Sequence, residues 1–359
     1  MSFEKVDLGP VQQFMDDPEV SEIMVNGANK IFIEKYGKKV ITPARFNSEE
    51  EVKDLVDRMY TTVGKRVDPD VPYADMCLAD GTRINAIIPP MCRFGISVTF
   101  RKFSKEIVEL ENLIKNNTLT RKVAEFLIAC VKGKVNMIFS GGTSTGKTTL
   151  LQLLSIHFSN VERVITIEDA AELKMIQDNY ISLETRVPDK EGRGAVTLRD
   201  LIRNTLRMAP NRIVIGEVRG AEAIDMLQAM ATGHPGTIGV VHANTPKDLL
   251  ARLETMVLMS GVQLPLWEVR KMIASSVNLV VHMERMRDGS RKVTYVTELR
   301  GIDKDEIVTN DLWTYNFEGL DEDGKVLGSL KPTLRYYPQF FHKFTRLGIL
   351  GDNVFGAEE

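Results

Sequence analysis

Cysteine is scarce: the 359 residues hold three, Cys77, Cys92 and Cys130. None forms a C-x-x-C pair and one is left over, which excludes a disulfide framework and a thiolate zinc site and leaves small reduced core residues. Long apolar runs are missing too. Every run is broken well short of the roughly 18–20 residues that span a bilayer, and the first 30 residues carry no basic-then-apolar leader, so a cytoplasmic chain is expected. A dominant charge sign is also absent: 46 basic against 49 acidic side chains leave a net charge of -3. That balance lacks the footprint of a dedicated nucleic-acid binder, and no direct nucleic-acid contact is expected. What is present, 43% hydrophobic and 26% charged residues in a chain longer than one typical domain, predicts two domains.

The first hundred residues read as α+β. Short strand patterns cover Ile23 to Asn26, Ile31 to Glu34 and Val40 to Ile41. Ser48 and Glu51 have capping-box spacing, and Val52, Leu55, Val56, Met59 and Val63 fall on one helical face before Gly64. Further strands are predicted over Asp75 to Asp80, Thr82 to Ile88 and Gly95 to Arg101, with a turn at Asp80-Gly81. Alternation gives the last two strands a polar face bearing Arg83 and Arg101, whose plain reading is a half-solvated sheet.

The pattern changes after Phe103. A charged connector, 103–118, leads into helical periods alternating with short β-branched runs, the signature of a parallel α/β sheet. Strands are expected at Val135 to Phe139, Arg163 to Ile167, Tyr180 to Leu183, Ile213 to Ile215, Thr237 to Val241 and Val277 to His282. The domains expected are thus 1–102 and 119–359, the latter ending in a hairpin near Arg287-Asp288-Gly289 and an aromatic tail with Trp313, Tyr315, Phe317, Tyr336, Tyr337, Phe340, Phe341 and Phe344.

Gly141 to Thr148 read G-G-T-S-T-G-K-T, directly between the apolar strand V-N-M-I-F and the helix T-T-L-L-Q-L-L. This matches G-x-x-x-x-G-K-[ST] in its required setting, a loop whose backbone N–H groups and helix N-terminus cradle the phosphates of ATP. Gly142, Thr143, Ser144, Thr145, Gly146, Lys147, Thr148 and Thr149 are the predicted binding residues. Lys147 would reach the β and γ oxygens, and the Thr148 hydroxyl would meet Mg²⁺.

The strand R-I-V-I ends in Gly216-Glu217, where most such proteins have Asp-Glu. Glu217 is the candidate base that orients and deprotonates a water. Another strand ends in Glu168-Asp169; either could hold the magnesium's water shell or Glu168 could share the base role, the alternative being that Asp169 caps a helix starting at Ala170. Thr197 and Asp200 form a second box-like cap, after which Arg199, Arg203 and Arg207 recur every four residues across an arc of about 80 degrees. Like charges so spaced repel unless an anion answers them, and Asp200 is the one local candidate; a γ-phosphate or a neighbouring subunit would satisfy the rest, or the face is simply solvated. His234 and His242 bracket the strand that follows and could read the γ-phosphate by hydrogen bonding.

In this order G-G-T-S-T-G-K-T, I-T-I-E-D-A-A-E-L, L-R-x-x-x-R-x-x-L-R-M-A-P-N-R-I-V-I-G-E-V-R-G, A-T-G-H-P-G-T and H-A-N-T resemble the secretion ATPase superfamily of type II and type IV secretion and type IV pilus systems. The blocks correspond to that family's Walker A loop, Asp box, atypical Walker B and His box. The phrases D-P-E-V-S-E-I-M-V-N-G, L-A-D-G-T-R-I-N-A-I-I-P-P and S-V-T-F-R-K-F resemble its CpaF branch, motors of tight-adherence pili. The resemblance implies a RecA-like catalytic domain, a homo-hexameric ring at the cytoplasmic face of an inner membrane, membrane platform proteins and a localisation ATPase as partners, and ATP with Mg²⁺ at the site. It also implies that neighbouring N-terminal domains supply arginines, with Arg83, Arg101 or Arg93 as candidates. The long N-terminal extension of many CpaF-like proteins is not present, so a docking function housed there is not expected.

Overall fold

The computed structural model describes residues 7–78, 81–102, 109–188, 191–333 and 337–348. The chain divides into two compact units, Met1–Ile107 and Val108–Glu359.

In the first unit, α1 (Gln12–Asp16) precedes β1 (Val20–Asn26), β2 (Ile31–Lys35) and β3 (Lys38–Ile41); α2 (Glu49–Thr62) then leads to β4 (Tyr73–Cys77), β5 (Arg83–Ile87) and β6 (Ser97–Arg101). The strands form one antiparallel sheet in the order β3-β2-β1-β6-β5-β4. Ile23 and Val25 of β1, Ile84 and Ala86 of β5, and Val98 and Phe100 of β6 bury one sheet face in a core shared with Val52, Leu55, Val56 and Met59 of α2. Ser48 caps α2 by accepting from Glu51 N, but the Glu51 carboxylate accepts from Asn47 N at 2.7 Å instead of returning to Ser48, so the predicted box closes one residue early. Arg83 and Arg101 stand directly opposite each other on the polar face, and Arg101 Nε lies 3.5 Å from Glu22 Oε1. Residue Asp80 of the predicted turn lies outside the described residues.

The second unit runs α3 (Leu110–Lys115), α4 (Arg121–Lys132), β7 (Met137–Gly141), α5 (Lys147–Ser155), β8 (Val164–Glu168), β9 (Tyr180–Glu184), α6 (Leu198–Thr205) and β10 (Arg212–Val218). It continues with α7 (Ala223–Ala231), β11 (Ile238–Val241), α8 (Pro246–Leu258), α9 (Leu266–Ser276), β12 (Leu279–Arg285), β13 (Arg291–Asp303), β14 (Glu306–Leu320), β15 (Val326–Pro332) and α10 (His342–Thr345). The sheet order is β15-β14-β13-β12-β7-β11-β10-β8-β9, parallel from β12 to β9 and antiparallel beyond β12. All five residues of β7 and of β8 are buried, as expected of strands covered on both faces, one face by α4 and α5 and the other by α6 to α9.

Two expectations change here. The connector 103–118 is shorter than its charge suggested, because Leu110, Leu113 and Ile114 of α3 pack against the core around α4; residues 103–108 lie outside the described set. The region after Glu284 is no loose tail: β13, β14 and β15 extend the central sheet, and Trp313 packs on Phe126 at a ring separation of 4.8 Å beside Phe340 and Phe344. Tyr336 lies outside the described residues. No described helix is long and apolar enough to cross a membrane.

Candidate nucleotide site

The phosphate loop leaves the C-terminal end of β7 and enters α5. Three of its residues take positive φ: Gly141 at 144°, Ser144 at 58° and Gly146 at 96°. A Cβ on Gly141 would lie 2.1 Å from the Met283 carbonyl of neighbouring β12, so the strand pairing itself requires glycine there. Thr145 Oγ1 donates to Gly142 O at 3.1 Å and fixes the turn. Thr148 and Thr149 lie in the first turn of α5, where unpaired amides and the helix dipole favour an anion. Lys147 is buried, and its Nζ donates to the carbonyls of Gly141, at 3.0 Å, and Gly142.

Strand order places β11 between the phosphate-loop strand β7 and the acidic strand β10. His242 follows β11 directly, at the same sheet edge as the loop, with its Nδ1 3.5 Å from Lys147 Nζ. Its Nε2 lies 3.0 Å from Glu217 Oε1. Glu217 stands on a bulge: Ile215 pairs with Gly239 and Val218 with Val241, so β10 carries one residue more than β11 between those pairs. Such an extra residue re-aims a side chain. The other carboxylate oxygen, Oε2, accepts from Arg219 Nη2 at 2.6 Å. Burial pushes the Glu217 pKa up, but the hydrogen bonds from His242 and Arg219 outweigh it and hold the carboxyl at about 2. Because the folded value is depressed, the pairing stabilises the fold above the ordinary value of 4.5 and loses that contribution as pH falls toward 2. Wild type should therefore melt above Glu217→Ala at pH 7, with the gap closing below pH 4.5 in thermal unfolding; a pH-independent gap would deny the pair any charge role.

Glu168, at the end of β8, is 4% exposed, and its Oε1 accepts from Glu172 N at 3.0 Å and Leu173 N at 3.1 Å. The residues from Ala170 onward form extended coil instead of the helix considered above, and Glu168 pins that coil beside the loop. It also explains Gly216, since a Cβ there would lie 2.7 Å from Glu168 Cγ. Thr185 Oγ1 donates to the Asp169 carbonyl at 3.2 Å, leaving Asp169 at the same edge but less engaged.

The arginine ladder has an answer that local sequence did not offer. Arg199 Nε and Arg203 Nε each lie 2.7 Å from Asp225 of α7, which is 3% exposed and takes one guanidinium on each oxygen. Arg203 is thus turned onto α7 instead of toward a phosphate. Arg207 lies beyond the end of α6, in the turn entering the N-terminal end of β10, so the length of that strand separates it from the loop. His234 is displaced for the same reason: it precedes β11 and sits at the opposite sheet edge from His242, its carbonyl accepting from Thr237 Oγ1 at 2.8 Å. Asp225→Ala should cost about 1–3 kcal/mol in chemical unfolding by stranding the partly buried Arg199 guanidinium and releasing the exposed Arg203 one. An unchanged midpoint would make that pair ornamental.

Three residues here carried too little signal to be singled out. Arg219 lies just past the end of β10, two positions from Glu217; Asp225 lies 26 residues from Arg199 with no local mark. His282, buried beneath the loop with Nδ1 2.7 Å from Ser140 Oγ, is visible only through the β12–β7 register; burial lowers its pKa. Among the described residues no group of three or more His, Cys, Asp or Glu side chains is arranged to hold a metal. Magnesium bound with ATP needs no such cage, since phosphate oxygens and water fill most of its shell, and Thr148 at the start of α5 is the hydroxyl that fits.

A phosphate loop on one strand, one intervening strand, and a carboxylate on the next define a RecA-like P-loop nucleotide-binding unit. Residues 4–312 match the family model described as Type II/IV secretion system protein, and the chain belongs to that family of ATPases. It is 31% identical over 298 residues to a Mycobacterium tuberculosis protein named for conjugal transfer, covering 81% of this chain and 84% of the other. Identity is 29% over 309 residues to type IV secretion system protein PtlH of Bordetella pertussis, covering 77% and 89%. In fold it is similar to the Legionella pneumophila ATPase DotB, with TM-score 0.55, 23% identity and 85% and 84% coverage. The pilus retraction motor PilT with bound ADP gives TM-score 0.55, 20% identity and 79% and 78% coverage.

Proposed function

We propose that this chain is the motor ATPase of a tight-adherence type IV pilus, acting as a homo-hexameric ring on the inner face of the inner membrane against platform proteins. The observation that carries the motor reading is the row Lys147, His242, Glu217 at one sheet edge, with separations of 3.5 and 3.0 Å. Lys147 would exchange its loop carbonyls for β and γ oxygens of ATP. His242, between lysine and carboxylate, would orient both and report whether a γ-phosphate is present. Glu217 would align the attacking water and accept its proton. Magnesium, when bound with ATP, would draw charge onto the phosphate oxygens. Arg83 and Arg101 stand opposite each other on the first unit's sheet, with Arg101 Nε 3.5 Å from Glu22 Oε1, and would answer a phosphate across subunits by exchanging such contacts for it. Arg203 and Arg207 would serve neighbouring subunits instead of this chain's own loop. Nucleotide-dependent rearrangement of the two units would be the mechanical output.

The names of the relatives favour a second reading, a conjugation-type ATPase that moves protein or DNA. Deletion in the native cell separates the two: loss of surface pili with intact DNA transfer supports the first, and the reverse supports the second. The ring itself is tested by Arg101→Ala, expected to lower assembled-enzyme turnover by about tenfold or more while isolated-subunit nucleotide affinity stays within about twofold. Normal turnover would remove Arg101 from the site.

A further inference from the structure

The base carboxylate is held on both sides. His242 meets one oxygen of Glu217 at 3.0 Å, and Arg219 Nη2 meets the other at 2.6 Å. The two contacts differ in kind. His242 stands between Glu217 and Lys147, on the side where phosphate would lie, whereas Arg219 approaches along the chain's own turn after β10. A carboxylate bonded by a permanently charged guanidinium is a poor proton acceptor, because protonation would forfeit the ion pair. The arrangement in the structure therefore opposes the step that the site requires.

Arg219 is built to move. Its side chain is 60% exposed, while its backbone N and that of Gly220 are anchored to the Glu222 carboxylate at 2.6 and 2.8 Å. A fixed root with an exposed head lets the guanidinium change partners while the turn stays in place. The groups facing it are Glu217 on β10, Glu222 on its own turn and Asp169 after β8; His242, just after β11, faces Glu217 and in turn meets Lys147 of α5, and Glu168 packs against Gly216.

We propose that Arg219 is a latch on Glu217 which the γ-phosphate of ATP releases: the guanidinium exchanges the carboxylate for γ-phosphate oxygens, freeing Glu217 to take the proton of the attacking water. ADP has no γ-phosphate to offer and leaves the latch closed. Hydrolysis is thereby tied to a complete substrate. This inference rests on the ATPase reading, and Arg219 acts here both by holding Glu217 and by touching the γ-phosphate.

A binding experiment with the full chain tests it without turnover, using a fluorescent non-hydrolysable ATP analogue and ADP with Mg²⁺. Glu217→Gln weakens the competing partner, so it should tighten the ATP analogue by about three- to tenfold and leave ADP within about twofold. In the Arg219→Gln background the same Glu217→Gln change should give no gain. A gain that persists without Arg219 would mean simple relief of carboxylate–phosphate repulsion and overturn the latch, as would equal effects on the two nucleotides. Arg219→Lys should restore part of the gain, which a purely structural role would not. If the wild-type chain bound neither nucleotide, the ATPase reading would fall and the latch with it; normal binding without the coupling removes the latch alone.

Discussion

Glu217→Gln is expected to reduce ATP turnover by about a hundredfold or more while ATP stays bound. The substitution keeps size and one acceptor oxygen, so His242 at 3.0 Å can retain its contact, but an amide takes up no proton at neutral pH. Two neighbours already donate toward this carboxylate, and an amide nitrogen placed against either donor must turn away. The loss therefore has a chemical part, the missing base, and a smaller geometric part. Phosphate release in steady state, set beside equilibrium nucleotide binding, separates turnover from affinity. Unchanged turnover would remove Glu217 from the role. Glu168 would be a poor replacement, since its oxygens accept from the Glu172 and Leu173 amides and it is almost fully buried.

Gly216→Asp, which writes back the residue found in most P-loop proteins, should abolish activity and destabilise the second unit by about 3 kcal/mol or more. A Cβ at 216 would stand 2.7 Å from Glu168 Cγ and 3.2 Å from Oε1, closer than packed atoms tolerate. Overpacking of this kind costs about 1–3 kcal/mol by itself. The added carboxylate would then lie against an existing buried one, and like charges held close cannot both stay ionised without further cost. Gly216→Ala isolates the steric part. Combining it with Glu168→Ala should recover stability relative to the sum of the single changes, because the two positions compete for one space. Additive unfolding free energies would show that the glycine is required for some other reason.

The same pair shows why part of the site could be read in advance and part could not. G-E in place of D-E was visible as a departure, but its cause, a glutamate arriving from the adjacent strand β8, depends on the β10–β8 pairing. The bulge that aims Glu217 is likewise a property of two strands, recorded in the mismatch between Ile215–Val218 and Gly239–Val241. Ser48 and Thr197 were legible as helix caps because a cap is a local hydrogen bond spanning three residues. The arginine ladder was legible as a charge problem but not as a solved one, since Asp225 comes from another helix. The two histidines looked alike, yet a strand has two ends: His242 reaches the phosphate edge and His234 the opposite one. The hairpin near Arg287-Asp288-Gly289 was legible from its turn and joins β12 to β13, but β14 and β15 escaped notice because their largely exposed residues lack the compact apolar runs that marked the parallel strands.

What the sequence determined alone is the phosphate loop and the alternating architecture around it. Both rest on short-range physics: glycine dihedrals, a helix start, and the periodicity of burial. Tertiary structure decided which side chains share the site. Lys147, His242, Glu217 and Arg219 come from three separate segments, and only the order β7-β11-β10 lines them up. It also decided the electrical state of the base, because a carboxylate's proton affinity follows from what folds around it and not from its neighbours in the chain.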